Sequence, residues 1–251
     1  MKSFLQCLAI ATLAAFCVCG AQAAESQKIR VMLVTGGHGF EQKQFFQLFE
    51  TNSEIAVRAV EHTNMATWLK APAANNYDVI VLYDMGLEIS DEMKNDFIAR
   101  LKDGKGLVVL HHAICSYQKW PEYRRIVGGR YYLDRDVVDG VQKEPSSYQH
   151  GRHFEIHVAD PIHPVTDGVH DFEIHDETYK GFDCTEDVHP LLTTDDPESS
   201  KVIAWSKTYE KARVVFIQSG HDHTAWDNPN YQRLVRQAIR WTFNGGSQSS
   251  H

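Results

Sequence analysis

The chain has 251 residues, 43% hydrophobic and 23% charged, which supports a sizeable buried core and excludes a disordered chain. With 33 acids against 25 bases, its net charge of −8 (histidines neutral) argues against nucleic acid and anionic membrane surfaces as partners. Beyond residue 23 only Cys115 and Cys184 remain of five cysteines, too few for a disulfide framework.

Residues 1–23 read as an export signal. Lys2 gives a positive start, Leu5 to Val18 is apolar but too short to span a bilayer, and Ala21-Gln22-Ala23 is a small-x-small cleavage site before Ala24. The competing readings are a buried N-terminal helix and, with Cys17 and Cys19, a lipoprotein. Cleavage removes one lysine and no acid, leaving about 228 residues at a charge of roughly −9 in a secreted or periplasmic setting. No later apolar run is long enough to insert in a membrane.

Residues 24–251 read as a single α/β domain. Val31 to Val34 is the core of a buried strand starting near Ile29, and Gly36-Gly37 ends it. Gln42 to Phe49 has helical spacing, with Phe45, Phe46, Leu48 and Phe49 facing a core. Ile55 to Val60 is a second strand. Asp78 to Tyr83 is a third, continuously apolar as expected when both faces are covered. Ser90 caps a helix whose Met93, Phe97, Ile98 and Leu101 repeat every three or four residues, and Gly104 and Gly106 stop it. Leu107 to Leu110 is a fourth strand running into His111-His112. Such alternation implies right-handed crossovers and a mostly parallel sheet. Tyr131 to Gly151 is polar and low in helix signal and reads as an insertion or a long loop over a cleft. His153, Glu155 and His157 alternate with Phe154, Ile156 and Val158 as in a half-exposed strand. Val202 to Ser206 and Arg213 to Gln218 form a C-terminal hairpin through Tyr209-Glu210-Lys211, and Tyr231 to Phe243 is a closing helix. The tail from about residue 245 is expected to be disordered.

In an open parallel sheet, ligands bind beyond the carboxyl ends of the strands. Gly36-Gly37-His38-Gly39, His111-His112-Ala113 and Gly220-His221-Asp222-His223 each follow a strand, and Asp176-Glu177-Thr178-Tyr179 follows a short apolar piece at Phe172 and Ile174. Their convergence would place His38, His111, His221 and Glu177 as ligands of a divalent metal. Zinc, manganese or nickel suits this set better than magnesium because imidazole outnumbers carboxylate. His111, His112, Glu177 and His221 are the candidate catalytic groups, as imidazole titrates near neutral pH. Asp222 is a candidate for orienting a neighbouring imidazole. On a regular strand His111 and His112 would face opposite ways, so one of them is expected in the cleft. The alternative for each histidine is a capping hydrogen bond at a strand end. No nucleotide is expected, since the glycine loop lacks the G-x-G-x-x-G order and a P-loop lysine. Cys115 reads as a buried thiol rather than a nucleophile. Trp68, Trp120, Trp205 and Trp226 are candidates for a sugar-stacking platform, although core packing is the commoner use of tryptophan.

Taken in order, several segments resemble the ThuA-like (trehalose-utilisation) family over nearly the whole chain beyond the signal. They are Leu33-Val34-Thr35-Gly36-Gly37-His38, Gly106 to Ala113, Trp120-Pro121-Glu122-Tyr123 with Val127-Gly128-Gly129, and Asp160 to Val165. Asp176-Glu177-Thr178-Tyr179, Ala204-Trp205, Arg213 to Phe216 and Gly220-His221-Asp222 complete the set. The chain departs at Glu210-Lys211-Ala212, where the family often has a glycine-rich turn. The resemblance implies a flavodoxin-like three-layer fold related to class I glutamine amidotransferases, without their cysteine–histidine–glutamate machinery. It also implies a role in the use of trehalose and related disaccharides, often beside oxidoreductases that make 3-keto sugars, and metal binding in some members. The expected function is therefore a metal-assisted lyase, isomerase or hydrolase on a disaccharide or 3-keto-glycoside, with a small sugar as partner. A non-catalytic carbohydrate-binding protein and a Cys115-dependent hydrolase are the alternatives, and the oligomeric state stays open.

Overall fold

A computed structural model describes residues 28–86 and 88–243. The signal segment and the tail from residue 245 lie outside the described residues.

Nine strands form one sheet. In chain order the strands and helices are β1 (Ile29–Gly36), α1 (Gln42–Glu50), β2 (Ile55–Glu61), α2 (Met65–Leu69), β3 (Val79–Asp84), α3 (Asp91–Lys102), β4 (Gly106–Leu110) and α4 (Pro121–Val127). Short strands β5 (Gly129–Arg130), β6 (Asp136–Val138) and β7 (Val141–Lys143) precede the long pair β8 (Ser147–Val158) and β9 (Phe172–Lys180). Then follow β10 (Asp183–Cys184), β11 (His189–Thr194), β12 (Val202–Tyr209), β13 (Ala212–Ile217), α5 (His223–Trp226) and α6 (Pro229–Phe243). The sheet order is β2-β1-β3-β4-β13-β12-β11-β8-β9. The first five strands are mutually parallel, in flavodoxin-like order, and β13 then opens an antiparallel half of β12, β11, β8 and β9.

The apolar runs of the first half are continuous because each strand feeds two cores. Val31 and Leu33 face one cluster, shared with Phe45 and Phe49 of α1 and Leu234 and Ile239 of α6. Met32 and Val34 face the other, shared with Met65 of α2, Phe97 and Leu101 of α3, and Ile126 of α4. The result is three layers. Ser90 Oγ accepts the Met93 N–H at 3.2 Å, the expected cap of α3.

Two expectations change in the second half. Residues 131–151 are not one long loop: they hold the β6–β7 hairpin and the start of β8. The first residues of β8, Ser147 to Gly151, are exposed, so no apolar pattern marks them, and β9 supplies their pairing. Asp176 to Tyr179 do not lie beyond the apolar piece at Phe172 and Ile174 as a strand-end cluster; both belong to one strand, β9.

Candidate active site

β1 ends at Gly36 and Gly37 follows it, both at positive φ. A Cβ on Gly37 would sit 2.3 Å from the Met85 carbonyl oxygen, so only glycine lets the chain turn out past β3 toward His38. β4 ends in a 3-10 turn over His111–Cys115, and His111 takes φ +50. That left-handed residue breaks the alternation of the strand, and both histidines turn toward the site. A non-glycine residue held at positive φ costs about 1 kcal/mol or more, a cost tolerated where the surroundings over-determine the geometry.

Here they do. His111 Nδ1 lies 2.6 Å from the Gln218 carbonyl oxygen, which fixes Nδ1–H as a donor. Nε2 then points into a cluster: 3.0 Å to Glu177 Oε2, 3.3 Å to His221 Nδ1 and 2.9 Å to the Tyr179 hydroxyl. Glu177 Oε2 is also 3.4 Å from His221 Nδ1. The donor atoms of His111, Glu177 and His221 all lie within 4.8 Å of one another. With Nδ1–H committed to a carbonyl, a neutral His111 turns a lone pair toward a carboxylate oxygen. Such a meeting needs positive charge between the two, either a proton on Nε2 or a metal ion. The donor set of two imidazoles and one carboxylate fits a divalent metal.

Glu177 and its neighbour Asp176 have opposite electrostatics. Burial pushes the Glu177 carboxyl up, but hydrogen bonds from His111 and His221 outweigh it and hold the group well below the usual carboxylate range. The same contact raises the His221 imidazole. Asp176 is pushed up by burial, and backbone N–H groups offset this only in part. It accepts from Gly220 N at 2.7 Å, His221 N at 3.0 Å and Glu177 N at 2.8 Å, and so ties β9 to the loop after β13.

His38 and His112 stand beside the cluster, their rings 4.5 Å apart, while the His38 ring is 6.3 Å from that of His221. His38 is not among the three groups whose donor atoms converge. His112 is buried and neither ring nitrogen has a hydrogen-bond partner. Burial lowers the pKa of both imidazoles, that of His112 far below its ordinary value, which keeps them neutral. Both line a cleft of about 260 Å³ with Glu177, Tyr179, Tyr131 and Tyr148.

Sequence reasoning passed over several of these groups. His150 has no informative spacing, yet its Nδ1 lies 2.9 Å from Glu177 Oε1. A register shift between Gln149 and Arg152, with Gly151 at φ +64, re-aims it as β-bulges do. Tyr179 and Gln218 are apparent only from the folded geometry. Asp222 does not orient an imidazole; it caps α5, accepting from Thr224 N at 2.9 Å. The tryptophans do not form a platform either. Trp120, Trp205 and Trp226 are core residues, and Trp68 lies under the Arg58 guanidinium. Cys115 and Cys184 are not bonded to each other. Burial pushes the Cys115 thiol far up, which leaves no thiolate for a nucleophile. A larger cavity of about 580 Å³ under the β6–β7 hairpin is rich in arginine, but Arg124, Arg130 and Arg135 are already paired with Asp183, Asp136 and Glu144.

Comparison with known proteins gives a consistent result. The family model described as ThuA, Trehalose utilisation, matches residues 30–242. A ThuA-like protein of Parabacteroides merdae is similar in structure at TM-score 0.74 and 19% identity, covering 90% of this chain and 93% of that one. A ThuA-like protein of Bacteroides uniformis follows at TM-score 0.66 and 18% identity, covering 89% and 94%. A β-galactosidase from Rahnella sp. R3 shares the fold at TM-score 0.54 and 11% identity, over 85% of this chain and 31% of the galactosidase. No curated protein matches the chain.

Proposed function

Because the chain belongs to the ThuA trehalose-utilisation family, we propose that it is an exported, metal-assisted enzyme acting on a disaccharide or 3-keto-glycoside such as a trehalose derivative. The observation that carries the reading is the convergence of His111 Nε2, Glu177 Oε2 and His221 Nδ1, three atoms that together call for a cation. Export rests on the segment from Met1 to Ala23.

In this reading His111, Glu177 and His221 hold a zinc, manganese or nickel ion. Glu177 is suited to that task because it stays ionised, while the Gln218 carbonyl, accepting from Nδ1–H, holds the His111 ring in place with Nε2 toward the ion. When bound, the metal would act as a Lewis acid toward a sugar carbonyl or hydroxyl. The proton transfer falls to His112, which is neutral and lines the cleft; both its nitrogens are buried, so the ring must turn to present one to the substrate. A 3-keto group acidifies the neighbouring C2–H. His112 takes that proton, the C–H electron pair moves toward the carbonyl, and the resulting enolate has two exits. Expulsion of the glycosidic oxygen from C1, with return of the proton from His112, breaks the glycosidic bond. Reprotonation at carbon gives an isomer instead.

The direct test incubates the pure protein with trehalose and with 3-keto-trehalose, with and without a chelator, beside metal analysis of the wild type and a His111→Ala, His221→Ala double variant. Expected are one bound metal in the wild type, none in the double variant, and turnover of the keto sugar that the chelator stops. A wild type without metal, or a double variant with full activity, overturns the metal and the cluster. Binding of sugar that is returned unchanged would mark a carbohydrate-binding protein instead.

A further inference from the structure

The lining of the cleft is of two kinds. His38, His112, His150 and Glu177 bring hydrogen-bonding groups, while Met85, Leu133 and Tyr131 bring apolar surface. A pyranose has the same division, a rim of hydroxyls around an apolar face of C–H bonds, and aromatic rings present broad apolar faces to such a surface.

Size limits what is enclosed. At about 260 Å³ the cleft is smaller than the roughly 300–1,000 Å³ that encloses a drug-sized ligand, so one sugar ring fills it and a second stays outside. At the mouth stands Tyr148. Tyr131 and Tyr179 are buried at 5% and 4% exposure, but Tyr148 is 54% exposed, so its ring has an open surface. It is anchored by cross-strand pairing with Tyr179 and by an edge contact with His150, ring centroids 5.0 Å apart at 71°. Among the described residues, the other large hydrophobic side chains exposed to more than half their surface, Val137, Val141 and Ile162, are not in the lining of this cleft.

We propose that the cleft encloses one terminal pyranose ring and that Tyr148 is the stacking platform for the sugar unit attached to it. The inference rests on the carbohydrate reading above and adds to it a two-subsite specificity for glycosides over single rings.

The test uses the full mature chain, its Tyr148→Ala variant and its Tyr148→Phe variant, with trehalose and methyl α-glucoside as titrants in calorimetry. The wild type should bind trehalose about tenfold more tightly than methyl α-glucoside. Tyr148→Phe should keep that ratio, because stacking does not need the hydroxyl. Tyr148→Ala should bring the ratio close to one by weakening trehalose alone. Thermal melts check the fold of each variant. If the wild type binds both sugars and Tyr148→Ala leaves the ratio unchanged, or if the wild type shows no preference for trehalose, the platform is wrong and the carbohydrate reading survives. If the wild type binds neither sugar, the platform is overturned, and turnover of 3-keto-trehalose decides the carbohydrate reading separately.

Discussion

His38, His111 and His221 leave the parallel half of the sheet beyond the ends of β1, β4 and β13, whereas Glu177 and Tyr179 stand inside β9 at the antiparallel end. The parallel half also has a carboxylate at a strand end, Asp84 of β3, but it is fully buried with one oxygen unpartnered and is not part of the cluster. The contrast shows how the two halves divide the work. Strand ends of the parallel half open into loops that can carry imidazoles into a cleft. The anion that gathers them comes from a strand whose register, set by pairing with β8, fixes it in place. The link between the halves is Asp176, whose oxygens accept N–H groups from β9 and from the loop after β13.

The largest effect should come from removing the anion of the antiparallel half. Glu177→Gln keeps the shape and loses the charge, and turnover of 3-keto-trehalose should fall by roughly 10²–10⁴-fold with loss of bound metal. Steady-state kinetics and metal analysis check this. Activity within a few-fold of wild type would mean that the imidazoles of the parallel half suffice.

Breaking the link should cost less. Asp176→Asn keeps one acceptor for the backbone of Gly220 and His221 and should lower metal affinity and kcat together by about 10–100-fold, as loss of a group that orients ligands typically does. Asp176→Glu should rescue neither, because the longer side chain cannot reach the same N–H groups from the same strand. Unchanged affinity in the Asn variant would show that the two halves hold their register without it.

The smallest effect should be on stability, at the carboxylate left out of the site. Burial pushes Asp84 up to about 6 from an ordinary value of 3.8. Between these values the unfolded chain is ionised while the folded chain remains protonated, so stability falls as pH rises through that window. Asp84→Asn removes this dependence. The difference in unfolding free energy, variant minus wild type, should therefore rise by on the order of 2 kcal/mol from pH 4 to pH 7. Denaturant melts at the two pH values measure it. A flat difference would mean that Asp84 finds a partner for its charge.

Much of this was legible before folding. β1, β3 and β4 are sandwiched between two helical layers, so both faces are apolar and the strands read as continuous runs. The helices α1, α3 and α6 follow from period and capping, and the histidines at the strand ends from the rule for parallel sheets. Residues of β8 and β9 were harder. Ser147 to Gly151 is solvent-exposed and has no apolar face, and Asp176 to Tyr179 is buried yet polar, so neither has the alternation by which a strand is recognised. His150 depends on a bulge, which is a property of pairing between two strands.

The sequence by itself determined the layers, the parallel half and the positions of His38, His111, His112 and His221, because burial on two faces and the end of a strand are local facts of composition and period. Only the tertiary structure decided that His111 and His112 both turn toward the site, through the left-handed φ of His111. It also decided that His150 meets Glu177, that Asp222 caps a helix while Asp176 braces the cluster, and that tyrosines rather than tryptophans line the cleft. These depend on strand register and on a single backbone dihedral, which arise from contacts between residues tens of positions apart and leave no period in the chain.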